Sequence, residues 1–126
     1  MVGLVVVSHS RRAAEGIVEV AAEMAGDTPI EAVGGDGQGG IGTVPDAIGA
    51  ALEAADDGDG VVVLVDLGSA VMNADVAIEL SEAEAVVADA PVLEGAVNAA
   101  VAAADPSATL DSVREQAEAA RDIEKL

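Results

Sequence analysis

The sequence predicts an α/β domain: an open, mostly parallel sheet of four to five strands with helices on both faces. Three observations predict it. Short β-branched runs such as Val5-Val6-Val7 and Val61-Val62-Val63 alternate with alanine-rich stretches of helical length, which is the pattern of successive β-α-β units. The run ending at Asp66 is apolar without alternation, as suits a strand covered on both faces of a parallel sheet. The length of 126 residues supports one core and not two, so residues 1–126 are expected to form a single domain. With a hydrophobic fraction of 52% and no Phe, Trp or Tyr, that core must be filled by Val, Ala, Leu and Ile.

Each element has its own local signal. Residues 2–7 form the first strand. Residues 11–25 carry Ile17, Val20, Ala21 and Met24 at helical spacing, and Gly26-Asp27 ends the helix. Residues 29–33 make a second, less regular strand. A glycine-rich stretch, 34–42, leads to a helix over 45–55, where Pro45 fits the first turn. After a polar loop at 56–60 comes the strand at 61–66, whose exit turn is Leu67-Gly68-Ser69. A helix over 70–80, a short strand at 85–87, and a helix opened by Pro91 and running to 104 follow. The last helix is expected over 110–124, capped by Thr109 or Asp111.

Composition excludes several function classes. Five basic residues against 24 acidic ones give a formal net charge of −19. Nucleic acid is not an expected partner, because a phosphate backbone is bound by clustered Lys and Arg, and Arg11 and Arg12 are the only bases before residue 114. The acidic excess is spread along the chain, which we read as adaptation to a salty cytoplasm where short-range screening removes self-repulsion. No cysteine is present, so disulfides, thiolate nucleophiles and sulfur-held metals are absent together. The opening apolar run is too short for a membrane span and lacks a basic segment ahead of it, so a cytoplasmic protein with no membrane association is expected.

An open parallel sheet places its ligand site beyond the carboxyl ends of its strands. Three unusual segments fall at such ends and should converge: Ser8-His9-Ser10, the stretch from Gly34 to Thr43, and the stretch from Asp66 to Ser69. His9 is the only imidazole in the chain. A neutral imidazole is a competent nucleophile toward phosphorus, and Ser8, Ser10 and the free amides of a helix start can hold an anion. Arg11 and Arg12 occupy a helix end where the dipole disfavours cations. A nearby anion would remove that conflict, and we count Arg12 with the phosphate-supporting groups. Two readings stand on the residues alone: a phosphoryl-accepting His9, or a histidine that merely satisfies a strand end while the arginines answer surface acids.

The other two segments admit two readings each. The stretch from Gly34 to Thr43 lacks a Gly-Lys-Ser/Thr ending and a dinucleotide register; it is either a flexible surface loop or a close-approach loop, with Thr43 able to cap the next helix and donate to phosphate. Asp66 can fix the tautomer of His9 or, with Asp36, ligate magnesium, although metal sites usually want more carboxylates. Gly68 and Ser69 form a turn and helix cap whose amides can also cradle phosphate. Neither a resident metal nor a cofactor is expected.

Val5-Val6-Val7-Ser8-His9-Ser10, Gly40-Ile41-Gly42-Thr43, Asp66-Leu67-Gly68-Ser69-Ala70 with Met72-Asn73, and Ala90-Pro91-Val92-Leu93-Glu94-Gly95-Ala96 together resemble the phosphotransferase subunit of PTS-dependent dihydroxyacetone kinase, the DhaM type. The resemblance runs from about residue 1 to 104, in order and spacing. It implies a fold like the mannose-type enzyme IIA domains, which form homodimers. It also implies that His9 takes a phosphoryl group from the phosphocarrier HPr and passes it to ADP on the nucleotide-binding kinase subunit, whose regenerated ATP phosphorylates dihydroxyacetone. Gly42, Thr43, Asp66, Gly68 and Ser69 match the family's site loops. The chain stops before the HPr-like segment of some members, so a separate carrier is expected, and Val44 replaces a hydroxyl or acid that often follows the threonine. A mannose-type sugar IIA domain is the nearest alternative, though the 66–70 turn resembles that type less. The other is a regulatory module switched by phosphorylation of His9.

Overall fold

The computed structural model describes all of residues 1–126. Its strands are β1 (Gly3–Ser8), β2 (Ile30–Gly34), β3 (Val61–Val65) and β4 (Ala85–Val87). They form one four-stranded sheet in the order β2-β1-β3-β4, with every neighbouring pair parallel. The helices are α1 (Arg11–Ala25), α2 (Pro45–Ala55), α3 (Ser69–Leu80), α4 (Val92–Ala103) and α5 (Leu110–Glu118).

Alternation along the central strands sorts the helices between the two faces, because successive Cβ atoms point to opposite sides. Leu4, Val6, Val62 and Leu64 enter one core with alanines of α1 and α4 and with Val113 and Ala117 of α5. Val5, Val7, Val61 and Val63 enter a second with Ile48 and Leu52 of α2 and with Ala70, Ala74 and Ala77 of α3. Burying each of these Val and Leu side chains contributes roughly 1.5–3 kcal/mol. In place of aromatic bulk the molecule uses close approach. A Cβ on Gly3 would collide with the Ala55 carbonyl, and one on Gly95 would lie 2.9 Å from the Ala90 methyl and 3.1 Å from Leu64.

Helix ends follow local chemistry with two departures from the sequence-based expectations. Ser10 caps α1 by accepting from the Ala13 amide at 3.2 Å, and Gly26, at φ 58°, ends it. Thr109, rather than Asp111, caps α5, and Ser112 completes the reciprocal capping box. The helix expected to run to 124 instead stops at Glu118 and tightens into a 3-10 turn, Ala119–Asp122. The Asp89 segment accounts for this: its amide donates to Glu118 at 2.9 Å, and its carboxylate accepts from Arg121 at 3.0 Å, pulling the last turn toward the chain that leaves β4. The second departure concerns Thr43. The N-cap of α2 is Val44, which offers no side-chain acceptor, so Thr43 lies one residue ahead of the cap.

The strand order also fixes where a site can form. From β1 the chain crosses to β2 on one side, and from β3 it crosses to β4 on the other. The winding therefore changes direction between β1 and β3, and a crevice opens beyond their carboxyl ends. His9 and Asp66 are the residues that follow those two strands.

Candidate active site

Register brings the two strand ends together: Val7 pairs with Val65, and the Asp66 amide donates to the Val7 carbonyl at 3.1 Å. Asp66 then turns its carboxylate back over the β1 exit. One oxygen accepts from the Ser8 hydroxyl and from the His9 amide, each at 2.9 Å. The other lies 3.0 Å from His9 Nδ1 and accepts from the Leu67 amide at 2.8 Å. Partial burial works against ionisation of Asp66, but the His9 amide, the His9 ring and the Ser8 hydroxyl together outweigh it and hold the carboxyl below its ordinary range. An ionised carboxylate only accepts, so the proton between the two groups belongs to Nδ1. In the neutral ring, Nε2 then carries the free lone pair. Ser69 Oγ stands 2.9 Å from Nε2 and donates to it. The ring itself is about one-fifth exposed, with its side chain at 21%.

The remaining candidates surround this triad. Ser8 is buried, and its hydroxyl both donates to Asp66 and accepts from the Ser10 amide at 3.1 Å, so its role is to brace the carboxylate. Ser10 faces α1 as its cap. Gly68 opens α3 as its N-cap with no side-chain cap, and the Gly68 and Ser69 amides make no hydrogen bond within the chain. The Gly42 amide donates to the His9 carbonyl at 2.9 Å, which ties the glycine-rich segment to the backbone of His9 itself.

That segment is braced internally. Asp36 accepts from the Gln38 and Gly40 amides at 2.8 and 2.9 Å, and its own amide donates to the Gly40 carbonyl. The two amides lower the Asp36 carboxyl below its usual value. No group of three or more His, Asp or Glu side chains is arranged to hold a metal ion.

The arginines part company. Arg11 pairs with Glu15 at 2.9 Å, the surface-acid reading of that residue. Arg12 makes no ion pair and no side-chain hydrogen bond to His9; together with Ser10, Arg11 and the glycine loop it lines a neighbouring recess of about 380 Å³. Sequence reasoning assigned no role to Asn73, whose Nδ2 donates to Thr43 Oγ1 at 2.7 Å and to the Thr43 carbonyl at 3.3 Å. The available signal was its spacing, four residues after Ser69 on one helical face.

The family model for the PTS system fructose IIA component, EIIA-man, matches residues 3–114. Phosphoryl donor subunit DhaM of PEP-dependent dihydroxyacetone kinase 1 from Listeria innocua is 42% identical over 94 residues, 75% of each chain. Phosphotransferase subunit DhaM of the PTS-dependent dihydroxyacetone kinase from Lactococcus lactis is 36% identical over 116 residues, 92% of this chain and 93% of that one. The chain belongs to the EIIA-man family, in its DhaM group. Among solved structures, that of the unknown-function protein EF1359 superposes on this EIIA-man domain with a TM-score of 0.80, at 29% identity over 94% of each chain. The DhaM assignment agrees with the resemblance carried by the motifs at His9 and Asp66, and no helix is long and apolar enough to cross a membrane.

Proposed function

We propose that this chain is the phosphohistidine carrier of a PEP-dependent dihydroxyacetone kinase, charged on Nε2 of His9. The observation that carries the reading is the Asp66–His9–Ser69 line, in which one ring nitrogen is tied to a carboxylate and the other faces a hydroxyl at the open end of the sheet. In the charging step the Nε2 lone pair attacks the phosphorus carried by HPr. A P–N bond forms at Nε2 as the donor's P–N bond breaks, and the donor imidazole leaves with the electron pair. The ring then bears positive charge, which the Asp66 carboxylate stabilises through Nδ1–H. Ser69, Thr43 and the Gly68 and Ser69 amides donate to the phosphoryl oxygens, and the open end of α3 favours their charge.

In the discharging step an oxygen of the ADP β-phosphate attacks the same phosphorus, and the P–N bond returns its electrons to Nε2. That ADP sits on the nucleotide-binding kinase subunit, and the ATP formed there phosphorylates dihydroxyacetone. In keeping with the resemblance we infer a homodimer, and the sequence reading places the carrier in the cytoplasm.

Reconstitution tests the reading. With phosphoenolpyruvate, enzyme I, HPr and both kinase subunits, adding this chain is expected to start formation of dihydroxyacetone phosphate, and His9→Ala is expected to abolish it while the fold persists. Product formed equally well with His9→Ala would refute the proposal. Charging of His9 without any onward transfer would favour a regulatory module.

A further inference from the structure

Ser69 and Asn73 lie one turn apart on α3, so their side chains share a face with Cβ atoms about 5–6 Å from one another. Ser69 touches Nε2 of His9. Asn73 reaches across to the glycine-rich connection and holds Thr43 by two bonds, to Oγ1 at 2.7 Å and to the carbonyl at 3.3 Å. The residue before Thr43 is fixed from the other direction, by the bond from the Gly42 amide to the His9 carbonyl. Thr43 is thereby held from both sides, its Oγ1 by the α3 face that also carries Ser69 and its preceding residue by the His9 backbone.

The direction of the bond matters as much as its length. A threonine hydroxyl has one proton to donate and lone pairs to accept with. Because the Asn73 amide fills an acceptor position, the Thr43 proton must point away from Asn73. None of the chain's hydrogen bonds uses that proton, although the hydroxyl is already held at 2.7 Å. The apolar contacts of Ala70, Ala74 and Ala77 with Ile48 and Leu52 already pack α3 against α2, so the polar pair adds orientation to a junction that is otherwise apolar.

We propose that Asn73 is a positioning residue for phosphoryl transfer. It fixes the Thr43 hydroxyl as a donor aimed at the phosphoryl oxygens on His9, acting through Thr43 and touching neither the ring nor the phosphorus. This rests on the phosphohistidine reading above. Asn73→Asp keeps the shape but replaces a donor with an acceptor, so the Thr43 proton would turn toward residue 73 and be lost to the phosphoryl group.

The experiment measures phosphoryl transfer from phosphorylated HPr to wild type, Asn73→Asp, Asn73→Ala, Thr43→Val and the Asn73→Ala/Thr43→Val double variant. Phosphorus NMR of the charged proteins and melting curves accompany it. Asn73→Asp and Thr43→Val should each lower kcat about 10–100-fold, the worth of one hydrogen bond to a charged group, with KM for HPr within about twofold. Asn73→Ala should fall between them and wild type. In the Thr43→Val background it should add less than about twofold, because the two residues act as one unit. The phosphohistidine resonance should shift in every single variant. Multiplicative losses in the double variant, or Asn73 variants that melt lower but transfer at the wild-type rate, would overturn the proposal. If Asn73→Asp fails to fold, the Asn73→Ala cycle decides the matter alone. A wild type that takes no label on His9 sinks the carrier reading and this proposal together, whereas a labelled wild type with unaffected variants sinks only the role of Asn73.

Discussion

The chemistry proposed for His9 depends on what stands at each of its two nitrogens. Asp66 gathers the Ser8 hydroxyl, the His9 and Leu67 amides and Nδ1–H on two oxygens. Asn at this position would keep one acceptor oxygen and set an amide donor against other donors. Asp66→Asn is therefore expected to slow phosphoryl transfer by roughly 10²–10⁴-fold, since the Nδ1 tautomer and the charge behind it are both lost, and to cost about 1–3 kcal/mol of stability. Acid should erase that stability difference. The Asp66 carboxyl is depressed below its ordinary value of 3.8, so its stabilising effect is complete above that value and is lost as pH falls through the depressed one. In melting curves the gap between wild type and Asp66→Asn should close as pH falls below the ordinary carboxyl value of 3.8. A gap that stayed undiminished far below that value would contradict the assignment. At this scale the sequence was informative about His9, Asp66 and Ser69, because strand ends and a single imidazole can be read directly. It was silent on the Asn73–Thr43 pair and on the inward turn of Ser8, which depend on how two segments 30 and 58 residues apart meet in space.

At the scale of elements, backbone proximity builds the site as much as side chains do. Gly34 ends β2 against the β1 exit, where an added Cβ would collide with the Ser8 carbonyl and come within 2.9 Å of the Ser10 carbonyl. Gly34→Ala should thus push the glycine-rich segment away from His9, lowering stability by about 1–3 kcal/mol and slowing transfer, whereas Gly37→Ala, with open space around its Cβ but φ 82°, should disturb the segment without displacing β1. Equal loss of transfer in both would argue against the close approach. Periodicity located every helix and strand within a few residues, since each is long enough to show its pattern. It misjudged Thr43 as a cap and carried the last helix past Glu118. A cap is decided by one dihedral choice, and the last turn by contacts with the distant Asp89 segment.

Over the whole molecule, charge is the dominant departure from an ordinary α/β domain. Apart from Arg12, every basic side chain is ion-paired with acids, and the formal net charge is still −19. In dilute buffer the Debye length is about 30 Å, so these charges repel across the whole domain; at molar salt it is about 3 Å and they hardly interact. The melting temperature should rise from dilute to molar sodium chloride by more than about 4 °C, the shift that roughly 1 kcal/mol gives at this size. An unchanged value would remove the basis for reading the composition as salt adaptation. The sheet class was legible because apolar runs and alanine helices repeat along the chain. The strand order β2-β1-β3-β4, which creates the crevice, was not, since nothing local in a strand names its neighbours.

In the proposed cycle phosphate resides on one nitrogen of one residue. Nitrogen-15 and phosphorus NMR of the chain, labelled at its single histidine and charged by phosphorylated HPr, tests this most directly. The expected result is coupling of phosphorus to Nε2 of His9 with the proton retained on Nδ1 facing Asp66. Phosphorus bonded to Nδ1, or held on a serine or threonine oxygen, would contradict it.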